Sequence, residues 1–454
     1  MKDPQMLFSC SKCGAQTTKW AGRCTECGAW GTVKEDGDAV IPDAKKTAHT
    51  ARAGTPAPFS GASMPQAHVR STMFHALDAT LGGGLVDGSV TLIAGEPGIG
   101  KSTLLAQAAI ALAASGMRVL YVTGEESPAQ IHRRLSRLSP VIPDTLLFLD
   151  ETDAGIIAAT VEKEKPALTI IDSVQTLRTA DASGDAGSVT QVKACAALVT
   201  EAAKRAQASV VLVGQVTKDG DVAGPRLLEH LVDTVLFLEG DHEHRYRLLR
   251  VLKHRFGPTD EVALLSMTEQ GLTEILDPSQ ELLRDRPLHA AGSAVTCLIE
   301  GHRALLLELQ SLVSPAGYGT PVRRATGVDS ARLGILLAVL AKRAGVNALD
   351  KDVYANAAGG MDARDPSVDL ALAAAIASAV KDVALDPRVG LFGEIGLAGE
   401  LRPVALPELR LKEFARMGFT KAIVPKGQGK GVKGIEVIEV STLRQALEAA
   451  KIVG

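Results

Sequence analysis

The chain has 454 residues, 46% hydrophobic and 22% charged, a balance that excludes global disorder and a coiled-coil rod. Aromatics make up only 3%, so the cores must be built mainly from Ala, Val, Leu and Ile. The formal net charge of -3 excludes a uniformly basic nucleic-acid coat and confines any nucleic-acid contact to a local patch or channel.

The first 33 residues form a cysteine module. Cys10-x-x-Cys13 and Cys24-x-x-Cys27 are two thiol pairs, and Gly14 and Gly28 supply the permissive backbone after each. Two such knuckles can complete a tetrahedron around zinc, with all four positions filled by protein and none open for catalysis. A module this small lacks a sufficient core, so the metal would supply folding energy. The competing reading is a pair of redox-active dithiols. Cys195 and Cys297 stand alone in apolar contexts and are expected to be buried, inert thiols.

Residues 34–67 turn to Ala, Pro, Gly, Asp and Thr without an apolar period, which predicts a flexible linker. Residues 68–276 then alternate short apolar runs with helical stretches. Strands are predicted at Val90–Ala94, Val119–Thr123, Leu146–Leu149, Leu168–Ile171, Val210–Val213, Val235–Leu238 and Leu248–Leu252. Helices are predicted at Ser102–Ser115 and Val189–Ala206. This pattern predicts an α/β fold with a mainly parallel sheet covered on both faces and an antiparallel far edge. A Pro-bearing junction, Asp277–Ser279, leads to an α+β domain over 280–454, with strands Ala294–Ile299 and Ala304–Leu309 and helices Ala331–Ala344 and Ser367–Val380. No apolar run reaches the ~18 residues needed to span a bilayer. The N-terminus lacks a secretory signal, so a cytoplasmic protein with no membrane partner is expected.

The chemistry concentrates in the central domain. Gly95, Glu96, Pro97, Gly98, Ile99, Gly100, Lys101 and Ser102 form a complete phosphate loop between an apolar strand and a helix. Backbone N–H groups and the helix N-terminus would cradle the phosphates of ATP. Lys101 would reach the β and γ phosphates, Ser102 would bind Mg²⁺, and Thr103 would contact phosphate. Asp172 ends the strand Leu168–Ile171, on the side where such sheets bind ligands, and can hold Mg²⁺ through water. Glu125 and Glu126 end another strand. Either could polarise the attacking water, Glu125 being the first choice. Gln215 can sense a γ-phosphate, and the loop through Lys218, Gly220, Gly224 and Arg226 would then act as a nucleotide-reporting switch.

The cysteine module with Lys19-Trp-Ala-Gly-Arg-Cys24, the phosphate loop, Gly124-Glu-Glu-Ser and Lys253-His-Arg-Phe-Gly257 together resemble the bacterial RadA (Sms) DNA-repair ATPase family, nearly end to end. His254 stands where that family usually has Asn. The resemblance implies a RecA-like core in hexameric rings that translocates on single-stranded DNA and extends or migrates branched DNA intermediates beside the RecA recombinase. In a head-to-tail ring, Lys253 and Arg255 could neutralise transition-state charge in a neighbour's site. The alternative for both is an intrachain salt bridge.

The C-terminal domain resembles the proteolytic domain of Lon proteases through Asp365-Pro-Ser367-Val-Asp369-Leu370 and Gly393-Glu-Ile-Gly-Leu-Ala-Gly-Glu-Leu-Arg402-Pro. That family uses a Ser-Lys dyad. Here the lysine position falls near Glu408, and Lys412 lies one helical turn away. Ser367 therefore reads as a helix N-cap in a domain inactive as a peptidase. Arg323-Arg324 and Lys342-Arg343 are the candidate DNA-contacting pairs. An ATP-dependent Lon-like serine protease and a nucleotide-switched binding ring resembling KaiC are the competing functions.

Overall fold

Apolar runs without polar interruption give strands buried on both faces. Val90–Gly95 and Val119–Thr123 are buried along their whole length, and Leu168–Asp172 is buried up to its terminal carboxylate. In this computed structural model the described residues are 8–12, 16–17, 19–24, 28–35, 68–215, 225–240, 246–317, 319–429 and 431–453. Residues 1–238 and 251–258 form one compact unit; 239–250 and 259–454 form a second. Cys13, Cys27, almost all of the expected linker, Lys218, Gly220, Gly224 and the Arg226 side chain lie outside the described residues.

In the first unit the parallel strands run in the order Thr234–Glu239, Val90–Gly95, Ser209–Gln215, Leu168–Asp172, Val119–Thr123, Leu146–Asp150. Their register pairs Gln215 with Gly95 and Thr123 with Asp172, so the carboxyl ends of four strands finish at one edge. The helix Val189–Ala206 turns Val192, Cys195, Ala196, Val199 and Ala203 onto the sheet, an i, i+3, i+4, i+7, i+11 stripe. The N-terminal ribbon is a separate antiparallel sheet of Phe8–Cys10, Gln16–Thr17 and Val33–Glu35.

The boundary between units differs from the expected break at 276–280. Strand Tyr246–His254 pairs antiparallel with Val262–Thr268, which pairs with Gly271–Glu274. One face of this meander, Leu248, Val262 and Leu264, is buried with Leu282, Leu305 and Leu307 in the core of the second unit. Shared apolar burial, rather than the proline of the junction, decides where the unit begins. Asp277–Ser279 is not a free junction. Asp277 accepts a hydrogen bond from Gln280 N and caps a short helix, Pro278–Leu283.

The second unit is α+β. Its sheet runs in the order Arg323–Thr326, Lys351–Ala357, Arg303–Pro315, Ser293–Glu300, Val389–Leu391, Lys421–Pro425, Glu436–Val440, with mixed parallel and antiparallel pairs. Every residue from Asp369 to Ser378 in the helix Asp369–Lys381 is buried, which is why its sequence is Ala-rich on all sides. The expected helix Ala331–Ala344 is α-helical over Ser330–Val339 and finishes in a π turn, Leu340–Ala344. No helix among the described residues is long and apolar enough to cross a membrane.

Candidate functional site

The phosphate loop is shaped by its glycines. A Cβ on Gly95 would fall 2.3 Å from the Leu238 carbonyl oxygen, and Gly100 holds φ +117° at the start of the helix Lys101–Ala114. That helix has no side-chain cap and no acidic residue in its first turn. Its N–H groups and positive dipole end are thus left to whatever occupies the loop. Lys101 is buried, and its Nζ donates to the Gly95 and Glu96 carbonyls, each at 2.8 Å. Desolvation pushes its pKa down to about 8, with Asp172, Glu125 and Glu96 pulling the other way.

A cavity of about 260 Å³ opens beside the loop. Of the residues expected at a nucleotide site, it brings together Pro97, Gly98, Gly100, Lys101, Ser102, Thr103, Glu125, Glu126, Asp172 and Gln215. Glu96 contributes its backbone carbonyl to Lys101, and Ile99 is buried as packing beneath the loop.

The carboxylates have different partners. Ser173 Oγ donates to Glu125 Oε1 at 2.6 Å. Glu126 is ion-paired with Arg134, whose other nitrogen lies 3.8 Å from Asp172 Oδ2. Tyr121 donates its hydroxyl to Asp172 Oδ2 at 2.8 Å, and burial with that neighbour holds the phenol well above its ordinary pKa range. The backbone N–H groups of Glu125 and Glu126 donate to Thr123 Oγ1 at 3.2 and 3.4 Å. Glu126 is thereby balanced by a guanidinium in direct contact, whereas Glu125 is oriented by a neutral hydroxyl and meets Lys101 only through the field across the cavity. Sequence reading missed Tyr121, Ser173 and Arg134. Arg134 did leave a signal. It falls on the stripe Ile131, Arg134, Leu135, Leu138 of the helix Pro128–Leu138, where Ile131 and Leu135 are buried. A cation on a buried stripe needs a charged partner.

Lys253 and Arg255 do not line the cavity of their own chain. Lys253 Nζ donates to the Glu229 and Val232 carbonyls, the latter at 2.8 Å. Arg255 pairs with Asp233 at 3.0 Å. The other Asp233 oxygen accepts the N–H of Val90 at 3.0 Å. The two cations therefore brace the turn that anchors the first residue of the phosphate-loop strand. His254 places Nδ1 3.1 Å from Thr234 Oγ1.

In the ribbon, Cys10 and Cys24 are buried beside Val33. Gly28 N donates to Cys24 O at 3.0 Å, and Cys24 N donates to Ala29 O at 2.9 Å, which ties Cys24 to the segment beginning at Gly28. Two buried cysteines in so small a core suit a soft metal ion. Cys195 and Cys297 are buried thiols pushed up to about 11 and about 12, in each case chiefly by desolvation.

The peptidase-like segment is arranged otherwise. Ser367 is not a helix N-cap. Its own N–H donates to Asp365 Oδ1 at 2.7 Å, so Asp365 is the cap, and Ser367 Oγ is buried with no hydrogen-bond partner. Asp369 is sealed in a pair with Arg332 and accepts Ile395 N–H at 3.0 Å. Lys412 pairs with Glu408 at 2.7 Å, both exposed, on the helix Pro407–Arg416. The buried cation of that helix is Arg410, which donates to the Ala405 and Cys297 carbonyls.

A parallel sheet whose strand ends carry a phosphate loop, a terminal aspartate and a paired glutamate turn defines a RecA-like P-loop α/β fold. Residues 66–221 match the family model described as an AAA domain, and residues 8–35 match the rubredoxin metal binding domain. The chain is 41% identical to the DNA repair protein RadA of Bacillus subtilis (strain 168), over 99% of each chain. It is 43% identical to that of Aquifex aeolicus (strain VF5), over 97% of this chain and 98% of that one. Among solved structures, a KaiC-like protein of Pyrococcus horikoshii OT3 aligns with 46% of this chain and 99% of its own at 15% identity, with a TM-score of 0.40. The chain belongs to the DNA repair protein RadA family.

Proposed function

We propose that this chain is a DNA-repair ATPase whose hydrolysis is stimulated by DNA, working as a hexameric ring on single-stranded DNA to drive branch migration of recombination intermediates with RecA. The observation that carries the ATPase reading is the convergence of Lys101, Ser102, Glu125 and Asp172 on one cavity. The repair role follows from kinship with proteins named for DNA repair over nearly the whole chain.

ATP is the substrate in this reading. Backbone N–H groups of the uncapped helix bind its phosphates, and Lys101 exchanges two carbonyls for phosphate oxygens. Ser102 and Asp172 offer a hydroxyl and a carboxylate in the same cavity, a donor set that suits Mg²⁺. When bound, the ion would offset the charge developing on the phosphoryl oxygens. Glu125, positioned by Ser173, orients and deprotonates the attacking water. Gln215 ends the strand beside the loop and contacts the γ-phosphate. In the hexamer, Lys253 and Arg255 exchange their bonds to the turn Glu229–Asp233 for the charge developing in a neighbour's site. Cys10, Cys13, Cys24 and Cys27 hold a structural zinc.

ATP turnover by the full chain should rise several-fold on adding single-stranded DNA. Unchanged turnover would remove the motor reading and leave a DNA-independent ATPase. The Lon-like peptidase gains no support, because Ser367 is buried without a hydrogen-bond partner and Lys412 is paired with Glu408 on an exposed helix face.

A further inference from the structure

The ribbon has very little apolar core: Cys10, Cys24 and Val33, with Phe8 against them. A module so short of buried surface would be expected to use its large aromatics inside. It does the opposite. Trp20 is 66% exposed and Trp30 is 76% exposed. These are the two tryptophans of the chain. Among the described residues of both units, no other tryptophan is available to either core.

The two rings are held together on one surface. Arg23 and Trp30 form an antiparallel bridge, and Gly31 N donates to Gly22 O at 2.8 Å. A Cβ on Gly22 would lie 3.8 Å from Trp20 Cη2 and 4.0 Å from Trp30 Cζ3. The rings therefore flank one residue that has no side chain to cover them. Arg23 is fixed by a 3.0 Å hydrogen bond from its Nε to the Gly28 carbonyl, and its guanidinium sits 5.9 Å from the centre of the Trp30 ring. Lys19 precedes Trp20 and is exposed.

We infer that Trp20 and Trp30 form a stacking platform for the unpaired bases of single-stranded DNA, with Lys19 and Arg23 meeting the phosphates. This inference rests on the DNA-repair reading and assigns the ribbon a part in it that is separate from metal binding. Exposed indoles beside cations are the combination that binds single strands without sequence preference, because every base has a face to stack and every step a phosphate to neutralise. The neighbours favour bases over a protein partner. Ala21, Gly22, Ala29 and Gly31 leave the rings bare and provide no aliphatic anchors of the kind that fill a protein hot spot. Among the described ribbon residues the cations Lys12, Lys19, Arg23 and Lys34 outnumber the single carboxylate, Glu35.

Because both tryptophans lie in the ribbon, the selectively excited tryptophan emission of the intact protein reports this surface alone. Titration of the zinc-loaded full chain with an oligo(dT) strand should quench that emission, with the same midpoint as the anisotropy of a labelled strand. A blunt duplex of equal length should quench far less. The variant Trp20→Ala/Trp30→Ala, checked for retained zinc and unchanged melting, should bind oligo(dT) at least about tenfold more weakly. Binding seen by anisotropy with unmoved emission, or with unaltered affinity in the double variant, would overturn the platform and leave the DNA reading standing. Absence of binding by anisotropy would overturn the DNA reading itself. The single variant Trp20→Phe, which leaves Trp30 as the sole reporter and keeps an aromatic ring, should retain quenching and most of the affinity.

Discussion

Lys101 with Ser102 in the first unit, and Ser367 with Lys412 in the second, pair the same two residue types in opposite surroundings. Lys101 is drawn into a cavity wall, away from water and towards several acidic groups, and its pKa falls to about 8. Ser102 lines the same cavity at the start of an uncapped helix. Ser367 is sealed with its hydroxyl unpartnered, and Lys412 is spent on Glu408 at the surface. Residue type alone does not make a site. What separates the two is convergence on open space. At the phosphate loop, charges are aimed at a cavity; in the second unit, Lys412 already has its partner and the Ser367 hydroxyl is enclosed.

The largest effect should come from removing the cation that this comparison singles out. Lys101→Ala should lower ATP turnover about a thousandfold or more, since a charge aimed at the transferring phosphates is lost from a desolvated site. Near-normal turnover in a folded variant would dissolve the contrast between the two units. Next is the division of labour between the glutamates. Glu125→Gln should keep nucleotide binding and slow hydrolysis about a hundredfold. Glu126→Gln should stay within about fivefold of the parent, because it weakens only a partly exposed ion pair with Arg134. The reverse ranking in single-turnover assays would exchange their roles.

The depressed pKa of Lys101 gives a smaller, pH-dependent effect. Burial favours the neutral amine, so the cost of its charge is present below about pH 8 and is relieved as pH rises towards the ordinary lysine value. Stability of the nucleotide-free protein should therefore gain from that residue above about pH 8. Nucleotide affinity should move the other way. Phosphates restore the protonated form, so binding takes up a proton and weakens by up to about tenfold per pH unit above pH 8. Calorimetry in buffers of different ionisation enthalpy should detect that uptake. Lys101→Arg should abolish the pH dependence, because arginine stays protonated throughout.

The parts of the molecule legible in the sequence were those fixed by local pattern. The strands Val119–Thr123 and Leu168–Asp172 and the helix Val189–Ala206 follow directly from uninterrupted apolar runs and helical periodicity. The loop from Gly95 to Ser102 is itself a local motif. What escaped was set by partners distant in the chain. Tyr121 reaches Asp172, and Ser173 reaches Glu125, only because parallel register lays the strand Val119–Thr123 against Leu168–Asp172. The start of the second unit escaped for the same reason. Pro278 marks Asp277–Ser279 as a junction, yet the leucines of the preceding meander share the second core. The motif around Lys253 was recognised, but its grip on the turn Glu229–Asp233 depends on contacts about twenty residues back that no periodicity reveals.

The smallest expected effect tests the second half of the comparison. If Ser367 were a nucleophile awaiting activation, its replacement would remove a peptidase activity. If it is what its burial indicates, a hydroxyl enclosed without a partner, then Ser367→Ala removes an unsatisfied polar group from a packed interior at almost no loss of volume. The variant should then melt at the parent temperature or slightly above, with a gain of up to about 1 kcal/mol. Peptide and casein cleavage should be undetectable in both proteins. A fluorophosphonate probe should label neither, because Ser367 is only 1% exposed and its hydroxyl has no hydrogen-bond partner to serve as base. Labelling of the parent and not of Ser367→Ala would show that this turn opens to solvent, and the distinction between the two units would then be one of access rather than of construction.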